Sequence, residues 1–239
     1  MKKLTTRIMI LLLVMACKED KKITKSEELA LVGEYMPQEK IPTSYAFNWR
    51  ITYEMEANDK KMDFHYMVQP TASYYGVVMV LSEKDLTKNS ITIKDFGRHK
   101  SLNLRNGRGG KLLYVRDMPE QKDNVDQSIT IERIGTKDIL GAKCQGYKIT
   151  MDAGTSTLYM TQDAGFAFNK DFEQYSKKRL KGKGIDASIL KELENGLMME
   201  MSFIGNGTDA SSNASKMTIK EMTELKFSVD LSEHKIIGD

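Results

Sequence analysis

Between residues 45 and 55 every second position is apolar or aromatic: Tyr45, Phe47, Trp49, Ile51, Tyr53 and Met55, with Ala46, Asn48, Arg50, Thr52 and Glu54 between them. Successive side chains of a strand point to opposite faces, so the pattern predicts a strand with one apolar and one wet side. It is about twice the usual strand length and would span roughly 40 Å. A stave that long calls for a large curved antiparallel sheet, with the remaining segments covering its row of rings. Past a polar turn at Ala57-Asn58-Asp59-Lys60, the residues Met62, Phe64, Tyr66 and Val68 alternate with Asp63, His65 and Gln69, which predicts a hairpin partner. Residues 74–81 are apolar at nearly every position, as in a strand covered on both faces. Further strands are predicted over 90–96, 100–105 and 111–118, with Asn106-Gly107 as a type I′ turn. The next pair, 128–134 and 142–152, is joined through Gly135 and Gly141, and 155–163 follows. Strands return at 197–204 and 216–225, and Phe227, Val229 and Leu231 mark a last edge strand before a polar tail.

Two helices interrupt this meander. Asn169 caps the first, which carries Phe168, Phe172 and Tyr175 on one side. Asp186 caps the second, with Ile185 and Leu190 as a hydrophobic staple and Gly196 as the stop. The fold class is therefore mainly β (α+β): a curved antiparallel sheet closing toward a barrel, a half-barrel with the two helices packed on its concave face. One domain over residues 44–232 accommodates it.

Charge and the N-terminus change the picture. Lys2, Lys3 and Arg7 precede a short apolar run over 8–15, too short to span a bilayer as a mature helix, and Ala16 stands directly before Cys17. This stretch resembles the lipobox of bacterial lipoproteins. The resemblance implies a signal peptide over 1–16, cleavage before Cys17, and acyl chains on that cysteine as a membrane anchor; an ordinary secretory signal is the other reading. With the signal go three basic residues and no acid, so 36 basic against 33 acidic side chains becomes 33 against 33. The basic balance then disappears, and with it any compositional support for nucleic acid as a partner. Residues 17–43 form a charged tether. Its Lys18-Glu19-Asp20 resembles the export signal of Bacteroidota surface lipoproteins, so the expected address is the outer membrane, on its periplasmic face or the cell surface. Cys144 is then left without a disulfide partner.

The run from Ile131 to Ile149 resembles the core of an uncharacterised domain family found in many exported Bacteroidota proteins. The element that carries it is a hairpin with Ile139, Gly141, Cys144 and Tyr147 in fixed places. The resemblance implies a fold similar to lipoprotein carriers and related half-barrels, and it brings no catalytic residues. Leu158-Tyr159-Met160-Thr161 departs from the family, standing where relatives carry a tryptophan.

Candidate chemistry is sparse. His65, His99 and His234 lie far apart without a second ligand at metal spacing, so no metal or other cofactor is expected. Cys144 has no histidine nearby and reads as a small buried hydrophobe rather than a nucleophile. Met198, Met199 and Met201 offer soft thioethers to Cu(I), but at strand period Leu197, Met199, Met201 and Phe203 share a face and read as gap-filling core. Lys177, Lys178, Arg179, Lys181 and Lys183 make a basic run, a solvated helix end or a patch for anionic headgroups. No enzyme motif occurs, and the chain is not expected to be an enzyme. The first functional expectation is an anchored, non-catalytic module holding a lipid or other hydrophobic ligand in the half-barrel, with Tyr45, Phe47, Trp49, Ile51 and Tyr53 lining the cavity under the two helices. The alternative is a structural or protein-interaction module of the envelope with a packed core and no small ligand.

Overall fold

The alternating stretch forms β1 (Ser44–Ala57) in the computed structural model, which describes residues 41–58, 60–79, 90–107, 110–119, 128–168, 180, 183–206 and 214–238. Eleven further strands join it: β2 (Lys60–Val68), β3 (Tyr74–Val78), β4 (Ile91–Asp95), β5 (Lys100–Gly107), β6 (Gly110–Asp117), β7 (Ile129–Ile139), β8 (Ala142–Met151), β9 (Gly154–Thr161), β10 (Leu197–Gly205), β11 (Ala214–Asp230) and β12 (Lys235–Gly238). All belong to one sheet ordered β12-β6-β5-β4-β3-β2-β1-β11-β10-β9-β8-β7. One meander runs outward from β1 to β6, and a second runs inward from β7 to β11. The antiparallel β1–β11 pair, Ser44↔Asp230 through Ala57↔Ser215, joins them at the centre. The signal, the tether up to residue 40 and the body of the first expected helix, with Phe172 and Tyr175, lie outside the described residues.

The mainly β, curved and antiparallel expectation holds, with corrections. The sheet ends in β12 and β7 and stays open rather than closing on itself. Phe227 and Val229 belong to no edge strand. They form the end of the 17-residue β11, paired with Phe47 and Tyr45 at the middle of the sheet. The polar tail adds β12, parallel to β6, because Ile236 and Ile237 bury their side chains there. Asn106 and Gly107 lie in β5, paired with Lys111 and Gly110, and do not form the turn. β7 continues past Gly135, where the register slips one residue, and turns at Leu140-Gly141. Both turn residues have positive φ, +50° and +77°, the left-handed pair that a two-residue hairpin requires.

One residue links distant strands. Phe168, expected on the first helix, instead makes an isolated bridge to Leu197 on β10, while its ring lies 5.4 Å from those of Tyr66 on β2 and Tyr75 on β3. β3 and β10 stand four steps apart, about 19 Å across a flat sheet. This side chain therefore links strands that lie far apart in the sheet order.

Among the described residues one helix is present, α1 (Ala187–Asn195). Asp186 caps it as expected, its carboxylate accepting from the Ser188 N–H at 2.7 Å and the Ser188 hydroxyl at 2.8 Å. Ile189 and Leu193 bury the apolar stripe against Tyr147, Leu158 and Met160 of β8 and β9, with Ile185 and Leu190 packed on the same cluster. The helix thus covers β8 and β9 and not the rings of β1, a second correction. Its position is held by Arg133 on the edge strand, whose guanidinium donates to both Glu192 oxygens at 2.9 and 3.0 Å.

Candidate functional site

The row of rings on β1 divides between two cores. Tyr45 and Phe47 belong to a cluster with Met67, Val78, Ile91, Ile93, Leu102, Leu113 and Val229. Ile51 and Tyr53 belong to another, with Val68, Tyr75, Phe96, Phe168, Leu197, Met199 and Ile219, and Trp49 packs against this second cluster while remaining partly exposed. The break coincides with a register slip: Phe47 faces Phe227, but Trp49 faces Glu224. β2 pairs with β1 only from Trp49 onward, so the backbone of Ala46 has no ladder on that side. The Tyr74 hydroxyl replaces it, accepting from the Ala46 N–H at 3.3 Å and donating to the Ala46 carbonyl at 3.0 Å.

In the first core a carboxylate is fully buried. Asp95 accepts the Tyr45 hydroxyl at 2.8 Å, the Arg98 N–H at 3.1 Å and the Arg98 guanidinium at 3.0 Å. Burial first, and then this hydrogen bond, push the Tyr45 hydroxyl far above its ordinary value, keeping it a neutral donor. These bonds tie β1 to the β4–β5 turn.

The second core is an aromatic layer. Tyr53 meets Tyr66 edge-on at 5.5 Å, Tyr66 meets Tyr75 at 5.6 Å, and Tyr75 meets Phe96 at 5.8 Å. Its cover is the non-regular segment after β9: Phe168 lies over Tyr66 and Tyr75, and Phe166 lies 5.1 Å from Trp49. The Phe168 N–H donates to the Gly196 carbonyl at 3.3 Å. The Tyr53 hydroxyl donates to the Met198 carbonyl at 2.7 Å, and burial holds it protonated far above its ordinary value. Cover and floor are both built of rings, and the Tyr53 hydroxyl is turned to the backbone.

Beyond Tyr53 the same face carries methionines. Met62 pairs with Met55, Met55 with Met217 and Met217 with Met201, after which the row passes to Leu158, Tyr147 and Arg133. Met62 is 44% exposed and Met55, Met217 and Met201 are half-buried, whereas Leu158 and Tyr147 are buried under α1. The Tyr147 hydroxyl donates to Glu192 at 2.5 Å; burial first and the carboxylate second raise its pKa. The other side of the sheet is charged: Arg50 pairs with Glu221 at 3.0 Å, Lys220 with Asp63 at 3.0 Å, and Glu200 with Lys137 and Lys216 at 2.8 and 3.1 Å.

The remaining candidates stay apart. His65 hydrogen-bonds Thr52 at 3.1 Å, and among the described residues no group of three or more His, Cys, Asp and Glu side chains could hold a metal ion. Cys144 is buried, donates weakly to the Ala142 carbonyl at 3.3 Å, and has its thiol pKa raised by that burial, the opposite of an activated nucleophile. Met199 is core, as its spacing predicts, and Met201 is partly buried and packed against the cluster beneath α1. Cys17 and the basic run up to Lys181 lie outside the described residues. No helix among the described residues is long and apolar enough to cross a membrane. Asp95, the Phe166–Phe168 cover and the methionine row were not legible as sites. Each is assembled by register or by long-range contact; for the row, the sequence offered only the abundance of methionine, 16 in the chain, and Met201 in its cluster with Met198 and Met199.

Residues 111–229 match a protein family described as Domain of unknown function (DUF4412), a stretch that includes the Ile139, Gly141, Cys144 and Tyr147 hairpin. None of the curated proteins matches the chain. Among solved structures it is similar to PNGF-II, at 11% identity over 81% of this chain and 31% of that one, with a TM-score of 0.42. It is similar to an uncharacterized conserved protein from Thermus thermophilus, at 9% identity over 90% and 98% and a TM-score of 0.43. It is also similar to MucB in complex with MucA(peri), at 7% identity over 75% and 50% and a TM-score of 0.40. The chain thus spans 31% of the length of PNGF-II and half that of MucB.

Proposed function

We propose that this protein is a non-catalytic binding module of the cell envelope, anchored to the outer membrane through acyl chains on Cys17, that admits a lipid or other apolar ligand between its aromatic layer and the segment covering it. One observation carries the reading: among the described residues, the rings laid over Trp49, Tyr66 and Tyr75 are Phe166 and Phe168, on the stretch after β9 that forms neither a helix nor a named strand. Aromatic floor and aromatic cover give an inserted acyl chain apolar contact on both sides, and few backbone bonds must break to part them. Trp49, Ile51 and Tyr53 line this site, while Tyr45 and Phe47 stabilise the strand from the other core. Trp49 is the sole tryptophan and is partly exposed beside the cover, so its emission reports entry.

Mass spectrometry of the protein purified in mild detergent is expected to find a bound lipid, and Trp49 emission is expected to shift on titration with a fatty acid. A sample without lipid whose emission ignores every apolar probe supports the second reading, an envelope interaction module with a packed core. The address is tested separately: radiolabelled glycerol is expected on the wild-type chain and absent from Cys17→Ser.

A further inference from the structure

The methionine row asks for its own explanation. Met62, Met55, Met217 and Met201 come from four adjacent strands, β2, β1, β11 and β10, and pair directly across each interface. Paired residues of neighbouring strands hold their Cβ atoms on one face, about 4.5–5.5 Å apart. Strands favour β-branched and aromatic residues over unbranched methionine, and the other core meets that preference with Val78, Ile91, Ile93 and Val115. Along this row the methionines occupy only the partly exposed positions. Where α1 covers the same row, Leu158 and Tyr147 replace them. Met217 packs against the second core and Met201 against the cluster beneath α1, so the row lies at the boundary between packed interior and solvent.

We propose that Met55, Met217 and Met201, with Met62 beside them, bind a soft monovalent cation, Cu(I) or Ag(I). Thioethers are neutral, soft donors that select such ions over zinc, magnesium or calcium. The outer members, Met55 and Met201, flank Met217 at two strand spacings, about 9–10 Å, which flexible unbranched side chains can close around one ion. No proton leaves and no electron moves on binding, so neither a reductant nor a base is needed once the ion is monovalent. Lysines and acids of the neighbouring strands pair with each other on the opposite face, as in Lys220–Asp63 and Lys216–Glu200, and leave the row to sulfur.

The test uses the full-length chain in detergent micelles, labelled with 13C at the methionine methyl groups, and silver nitrate as the probe. On a Cys17→Ser, Cys144→Ser background no thiol competes. The methyl resonances of Met55, Met201 and Met217 are expected to shift together and saturate at one Ag(I) per chain. Leucine keeps the volume and apolarity but lacks sulfur. The triple variant M55L/M201L/M217L is therefore expected to lose at least about tenfold in Ag(I) affinity, with an unchanged melting midpoint and an unchanged Trp49 response to fatty acid. Should the triple variant fail to fold, M217L alone is read, with a larger expected loss than M62L. Unchanged affinity in these leucine variants, or silver shifts confined to other methionines, overturns the proposal and leaves the row as an adaptable apolar surface. The apolar ligand site stands or falls independently, because its readout is Trp49 and lipid, not sulfur.

Discussion

The two cores of the sheet both draw on β1, β2, β3 and β11, yet they are closed with different chemistry. In the first, aliphatic residues of β2 to β6 meet Tyr45, Phe47 and Val229 from the central ribbon, and the largest of them are excluded from water. In the second and along the row beyond it the interior is covered piecemeal, by α1 over Tyr147 and Leu158, by Phe166 and Phe168 over the aromatic layer, and incompletely over the methionines. A cover made of paired strands presents a fixed surface, and stiff β-branched side chains fit it. A cover made of a helix, a short segment or solvent does not, and there aromatic and unbranched side chains prevail. Stability is therefore concentrated in the first core and adaptability around the second.

The sharpest way to break this comparison is Phe47→Ala. The ring is fully buried, and its loss is expected to cost about 3–5 kcal/mol in urea denaturation, against less than about 1 kcal/mol for Met62→Ala. Similar costs at the two sites would dissolve the distinction. Asp95→Ala comes next, at about 3 kcal/mol, because it strands the Tyr45 hydroxyl in the core and unties Arg98. Gly76→Ala follows, at about 1–3 kcal/mol: a methyl group there would lie 3.3 Å from Phe47, Met67 and Ile91 at once. Adding Phe47→Leu should return part of that loss, and a strictly additive double mutant would show that the contact is relaxed rather than tight.

Around α1 the expected effects are smaller. Tyr147→Phe removes one hydrogen bond to a carboxylate that Arg133 still holds, and should cost about 1 kcal/mol. The same bond sets a pH window. The Arg133 guanidinium first, and then the Tyr147 hydroxyl, hold Glu192 below its ordinary 4.5, so its contribution is present above that pH and fades as pH falls through the lowered value. Burial holds Tyr147 above its ordinary 10.0, so its contribution is intact below pH 10 and is lost as pH rises beyond it. Denaturation midpoints measured across pH should flatten at the acid end in Glu192→Gln, and an unaltered acid limb would remove Glu192 from the account.

Alternation along residues 45–55 determined a long two-faced strand, because strand period is a local property that each residue's neighbours impose. Asp186 determined where α1 starts for the same reason, since a side-chain cap acts within a few residues. The tertiary structure alone decided that β1 and β11 would pair across almost the whole domain, which moved Phe227 and Val229 from an expected edge to the centre. A slip of one residue in that pairing sent Phe47 and Trp49 to different cores, although they stand two positions apart. Register also drew four methionines from four strands into one row. Pairing partners are chosen by burial summed over the whole sheet, and that sum cannot be read from any single segment.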